Sequence, residues 1–273
     1  MVYILAVNPY VLGEAGMPKA ALFTATTLAS IFGTISMAFI ANVPIAQAPG
    51  MGLNAFFAFS VVNTMGYSWQ FALTAVFIEG LIFIILTVFN IRESIINSVP
   101  KTLKNAIPAG IGLFIAFIGL RNAKIIVPHE QTLVTLGKLS DLEIWITLFG
   151  LILVGILTAL NVKGAILISV IAATLLGIPL HITHIPKESL ISLPPSITPI
   201  FAQFEWTQFF TTDMLVVVFT FLFVNLFDTV GTLWGVASKA SLIKPDGSFP
   251  KMRKALFADA IGTTVGAILG VSP

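Results

Sequence analysis

The chain has 273 residues, 57% of them hydrophobic and only 10% charged, with a net charge of +2 and a mean hydropathy of +1.00. Soluble domains carry about 25% charged residues, so this deficit places the chain in lipid rather than in a large soluble core. The lack of cysteine excludes disulfides and thiolate metal sites, and so small a net charge says little about partners.

Taken in chain order, the start "MVYILAVNPYVL" has neither a basic n-region nor a small-residue cleavage site, so no signal peptide is read. Residues 1–12 resemble the second half of a helix. A spanning helix needs about 20 mostly apolar residues. Candidates run near 20–41, 69–89, 105–122, 142–160, 164–180, 213–237 and 253–271. Residues 44–62 form an eighth, interrupted by "PIAQAPGMG". The Pro-rich stretch 181–212 reads as an outward-facing loop. Its His181 and His184 lack a third ligand nearby, so they read as surface histidines and no metal is expected. "KPDGSFP" at 244–250 reads as a solvent turn. The half-span at Met1 and the stop at "ILGVSP" predict a fragment of a longer chain.

Basic residues set the topology. One side, read as cytoplasmic, holds Arg92, Lys101, Lys104, Lys163, Lys239, Lys244, Lys251, Arg253 and Lys254. The other holds Lys19, Arg121, Lys124, Lys138 and Lys187.

The interruption at 44–52 raises a physical question, because an unpaired backbone group in hydrocarbon costs several kcal/mol. Pro44 and Pro49 remove donors, while Gly50 and Gly52 permit an extended or tight backbone. A helix restarting near Asn54 would offer free N–H groups and the positive end of its dipole to an electron-rich ligand at the midplane. A packing kink with no ligand is the alternative. Further along, Asp228 lies well inside a span, where an aspartate costs about 3 kcal/mol and marks a cavity or a partner. Asn225, Asp228 and Thr232 stand at i, i+3 and i+7 on one helix face, although a purely structural carboxylate would look the same. Glu79 is also central in its span, with a proton relay or a structural role open to it. Asp259 reads as structural, snorkelling or pairing with Arg253 or Lys254. Phe56 and Phe57 read as packing residues, with stacking on a planar ligand as the lesser alternative.

Four stretches then carry a resemblance: "APGMGLNAFFAF", "IRESIINSVPKTLKNAIPAGIGLFIAFIGLRNA", "LFDTVGTLWGVA" and "ADAIGTTVGAILG". Together they resemble the adenine/guanine/hypoxanthine permease branch of the xanthine–uracil permease superfamily, along essentially the whole chain. The resemblance implies an all-α polytopic membrane protein, part of a fourteen-span fold of two inverted seven-span repeats, with a discontinuous third span containing a short extended strand. It implies core-domain spans one (partial) to four in 1–90, gate-domain spans five to seven in 91–180, the outward loop at 181–212, and core-domain spans eight and nine in 213–273. The tenth span, with the family's glutamate, is expected after Pro273. Gly52 and Asn54 would lie on the third-span strand and half-helix, and Asn225 and Asp228 would form the eighth-span pair. Asn225 stands where the family commonly has an acid.

The expected function is import of a purine nucleobase across the plasma membrane by proton symport, with the core moving against the gate. Gly52, Asn54, Asn225, Asp228 and Thr232 are the expected substrate residues, and Asp228 and Glu79 the expected proton-coupling residues. No cofactor beyond the coupling ion and no nucleic-acid partner are expected; the partners are the base and the bilayer, with a homodimer left open. The rivals are an anion or other small-solute carrier on the same fold, a channel, and a non-transporting truncated remnant. An enzyme is not expected, since neither HExxH nor GxSxG occurs.

Overall fold

The computed structural model describes residues 3–98, 100–183, 193–244 and 249–272, so His184, Lys187 and most of the 244–250 turn lie outside the described residues. Helix α1 (Ile4–Gly13) carries Pro9 within it. Helix α2 (Lys19–Ser36) runs on as a π-helix, Met37–Ala41. Asn42 then adopts a left-handed φ of 53° and ends the run, a conformation that Asn tolerates better than most residues. Residues 43–50 have no regular structure. Helix α3 (Met51–Ala55) restarts the chain and continues as a second π-helix, Phe56–Thr64.

Helix α4 (Trp69–Val88) begins under a Ser68 cap, whose hydroxyl accepts from the Phe71 N–H at 3.0 Å. There follow α5 (Ile91–Ser98), α6 (Lys101–Asn122), strands β1 (Ile126–His129) and β2 (Leu133–Leu136), α7 (Leu142–Ala159), α8 (Ala165–Gly177), α9 (Thr212–Lys239) and α10 (Met252–Leu269). Lys19–Ala41, Trp69–Val88, Leu142–Ala159 and Thr212–Lys239 are long and apolar enough to cross a bilayer.

Two differences from expectation concern the backbone. The helix restarts at Met51, three residues before Asn54. The break at 43–50 makes no strand ladder among the described residues; the strands described there are β1 and β2, an antiparallel hairpin pairing Ile126 with Leu136 and His129 with Leu133. That hairpin was not expected. Its four-residue strands sit between two apolar spans, where a short alternation is lost in the hydropathy signal.

The chain divides into two compact units, Met1–Gly112 with Pro194–Pro273, and Leu113–Leu193. In the second, α7 packs on α8, and Lys124 pairs with Glu143 at 2.8 Å. In the first, Leu12, Leu22, Phe57, Phe71, Leu73 and Phe221 are fully buried in one apolar cluster. Met37, Val43, Ile96, Val230 and Leu256 belong to another. Lipid tails are as apolar as leucine, so burial against water does not drive such packing; close contact and polar bonds between helices do. Small residues permit that contact. A Cβ on Gly80 of α4 would stand 2.5 Å from Thr264 Oγ1 of α10. Gln47, from the break, is flanked by Gly33 of α2 and Gly262 of α10 in the same way.

Candidate functional site

The non-helical stretch leaves α3 without a side-chain cap: Gly50 precedes it at φ −80°, ψ 124°, and its carbonyl accepts from the Asn54 N–H at 3.0 Å. The N–H groups of Met51, Gly52 and Leu53 therefore open the helix with no intrahelical acceptor. Together the five-residue α-helix and nine-residue π-helix reach about 20 Å, short of the roughly 30 Å hydrocarbon thickness. By itself this segment does not cross the hydrocarbon. Its side chains are packed rather than free: Phe56 meets Phe221 of α9 edge-on at 5.0 Å, and Phe57 lies 6.5 Å from the same ring. This puts α3 against α9 one turn before Asn225 and two turns before Asp228.

Gly52 is half-buried in the first turn, where its carbonyl accepts from the Phe56 N–H. Asn54 is completely buried. Its amide donates to Asn8 Oδ1, its oxygen accepts from the Ser272 hydroxyl, and Asn8 in turn donates to Thr26 Oγ1 at 2.7 Å. Four segments, α1, α2, α3 and the turn after α10, meet through uncharged polar groups. Asn8 was missed from the sequence. Its one signal is the Asn-Pro pair inside an apolar helix.

The residues of α9 separate by environment. Asn225 is buried; its Nδ2 donates to Glu79 Oε1 at 2.5 Å and its Oδ1 accepts from Thr229 Oγ1 at 3.2 Å. Asp228 is half-buried, and among the described residues no hydrogen bond or ion pair engages its carboxylate. Thr232 is exposed and donates back to the Asp228 carbonyl at 2.9 Å. The face shared by i, i+3 and i+7 thus grades from a bonded amide to a free carboxylate to a back-bonded hydroxyl. Phe57 is fully buried against Phe221, a packing role.

Two sequence expectations are corrected here. Asp259 does not pair with Arg253 or Lys254; Arg92 Nη2 of α5 reaches its Oδ2 at 2.8 Å. Arg253 instead donates to the Val88 carbonyl at the end of α4, and Lys251 to the Asn42 carbonyl, where basic groups favour helix C-termini. Nor is Arg92 a loop cation facing water. It is fully buried and also binds the Leu256 carbonyl at 3.1 Å and Thr229 Oγ1 at 3.0 Å, with its guanidinium 3.9 Å from the Phe83 ring centre. Asp259 further accepts from Gln47 Nε2 at 3.3 Å and shares the single Thr229 hydroxyl proton, at 3.2 Å, with Asn225 Oδ1. One polar chain therefore links Glu79, Asn225, Thr229, Asp259, Arg92 and Gln47 across α4, α5, α9, α10 and the break.

Comparison with known proteins places the chain in a family. A family model described as "Permease family" (Xan_ur_permease) matches residues 1–273. Over the whole of this chain, it is 42% identical to the adenine permease AdeP of Escherichia coli, covering 61% of that protein. It is 46% identical to the guanine/hypoxanthine permeases PbuO and PbuG of Bacillus subtilis, covering 64% of each. The chain thus spans less than two thirds of the length of these relatives.

Proposed function

The chain belongs to the xanthine/uracil permease family, and from that membership we propose that it forms part of a secondary active transporter importing purine nucleobases. The matched relatives are permeases rather than enzymes, and the chain is an integral membrane protein. Plasma-membrane location, proton symport and movement of a core against a gate belong to the proposal.

The observation that carries the reading is the junction of α3 with α9. An uncapped half-helix, too short to cross the hydrocarbon by itself, packs through Phe56 and Phe221 on α9, whose Asp228 has no partner among the described residues. A neutral purine offers ring N–H donors that a carboxylate accepts, and ring nitrogens or a carbonyl that free backbone N–H groups can bind. Groups so placed reject ligands that leave them unpaired. Gly52 provides close backbone approach, Asp228 accepts from the base, and Thr232 lies one turn beyond. Asn54 and Asn225 are held by protein partners, so their part is to shape the site unless a base displaces those bonds.

Charge speaks against the anion-carrier rival. The buried cation Arg92 donates to Thr229, the residue after Asp228, but it is matched by Asp259 at 2.8 Å. That pairing leaves Arg92 no charge to offer an anion.

The test is uptake of radiolabelled hypoxanthine, guanine and adenine by the full-length protein in a host lacking its own purine uptake. Asp228→Ala is expected to lower uptake by at least tenfold. Wild-type rates in Asp228→Ala remove Asp228 from the mechanism.

A further inference from the structure

The two acids of the polar chain are built very differently. Asp259 has partners on both oxygens, with Gln47 on Oδ1 and Arg92 and Thr229 on Oδ2. Asp259 is thus held by a matched cation and by several donors. Glu79 is fully buried, yet among the described residues it has one donor, Asn225 Nδ2 on Oε1, while Oε2 is buried with no partner. An ionised carboxylate presents about four acceptor sites, and a charge left with one donor in a low-dielectric interior is strongly disfavoured.

The groups facing Glu79 offer no better match. On α9 these are Asn225 and Thr229, on α10 Asp259, and on α5 Arg92, whose charge Asp259 already takes. The π-helix Phe56–Thr64, also packed on α4, contributes no titratable side chain.

We propose that Glu79 is the seat of the coupling proton, carried on the unpartnered Oε2 and reported to α9 through Asn225, while the Arg92–Asp259 pair beside it stays joined. The inference rests on the transporter reading and divides its labour: Asp228, open and unpartnered, engages the base, and Glu79, closed and under-bonded, engages the proton. Loading forms an O–H bond with a proton delivered by water, and release returns that proton to water on the other side. Asn225 is the link, because its amide is shared between Glu79 on α4 and Thr229 on its own helix, one residue from Asp228. Loss of the Glu79 proton changes what Asn225 must satisfy, and so the set of α9 against α4. Glu79 is thus a positioning residue for the base site as well as a proton carrier.

The experiment is flux of radiolabelled hypoxanthine into proteoliposomes holding the full-length protein, with proton movement read by an entrapped pH dye. Glu79→Gln keeps an acceptor for Asn225 but has no exchangeable acid proton. The ratio of protons to base moved is expected to fall at least tenfold, whereas a merely structural role lowers both fluxes in step and leaves the ratio alone. An unchanged ratio overturns the assignment, as does wild-type accumulation driven by a sodium gradient without a pH gradient. Wild-type vesicles that move no purine overturn the transporter reading itself, and the assignment with it. If Glu79→Gln does not fold, Glu79→Asp takes its place: it keeps the acid but withdraws it by one methylene from Asn225. A displaced pH profile of uptake is then expected, and a profile superimposable on wild type overturns the proposal.

Discussion

Replacing Arg92 by methionine tests the polar chain directly. The substitution roughly preserves the apolar volume beside Phe83 and deletes the guanidinium, which holds Asp259, Thr229 and the Leu256 carbonyl. Two effects compete in setting the loss. Hydrogen bonds between membrane helices are worth about 0.6 kcal/mol on average, so three of them account for about 2 kcal/mol. Stranding a buried carboxylate costs about 3–5 kcal/mol. Asp259 retains Gln47 and Thr229 but no cation, so the second effect dominates. For a chain of this size, about 2–4 °C per kcal/mol gives a fall of about 6–20 °C in the melting temperature of the purified protein. The double variant Arg92→Met/Asp259→Leu separates the two effects by sign. If the stranded charge dominates, the double variant is more stable than Arg92→Met; if lost bonds dominate, it is less stable. A melting temperature within 2 °C of wild type for Arg92→Met, or a double variant worse than the single, refutes the reasoning.

Other expectations follow from the same packing. Gly80→Leu drives a side chain into Thr264, whose Oγ1 stands 2.5 Å from the added Cβ and whose backbone N is at 3.0 Å; overpacking of this kind costs about 1–3 kcal/mol or more, visible as reduced melting temperature. Asn54→Leu strands Asn8 and Ser272, at about 1–3 kcal/mol for a buried group left unpaired, and is expected to weaken stabilisation by bases in a thermal-shift panel. Outside the spans, the Tyr67 phenol is pushed above its ordinary value, chiefly by its hydrogen bond to Asp213, then by burial and by that residue's charge. The folded state therefore holds this proton more tightly than the unfolded chain. That contribution is complete below the ordinary value of about 10 and is lost as pH rises through the raised one. Asp213→Asn is expected to bring the phenolate absorbance transition to lower pH.

Much of the molecule was legible because the relevant signals are local. Hydropathy alone placed the spans at 69–89, 142–160 and 213–237 within two residues of α4, α7 and α9, because a bilayer demands about 20 apolar residues wherever a helix crosses it. The break at Pro44–Gly52 was likewise readable, since proline and glycine act on their own backbone. The restart at Met51 was not placed, because either side of Gly52 can open a helix and only packing against α9 chooses. Arg92 was misread for a related reason: a lone basic residue at the end of a span normally marks the water side.

Which polar group meets which was decided by the tertiary structure alone. Arg92 and Asp259 are 167 positions apart, and Asn54 and Ser272 are 218 apart. No spacing links them. Hydropathy records how deep a residue sits along the membrane normal and is blind to rotation about a helix axis. Lateral packing, through Gly33, Gly80 and Gly262, turned those residues toward one another. Asp228 was visible in the sequence as an acid in oil; that it lacks a partner among the described residues, while Asp259 is held on both oxygens and Glu79 on one, depended on how α4, α9 and α10 came together.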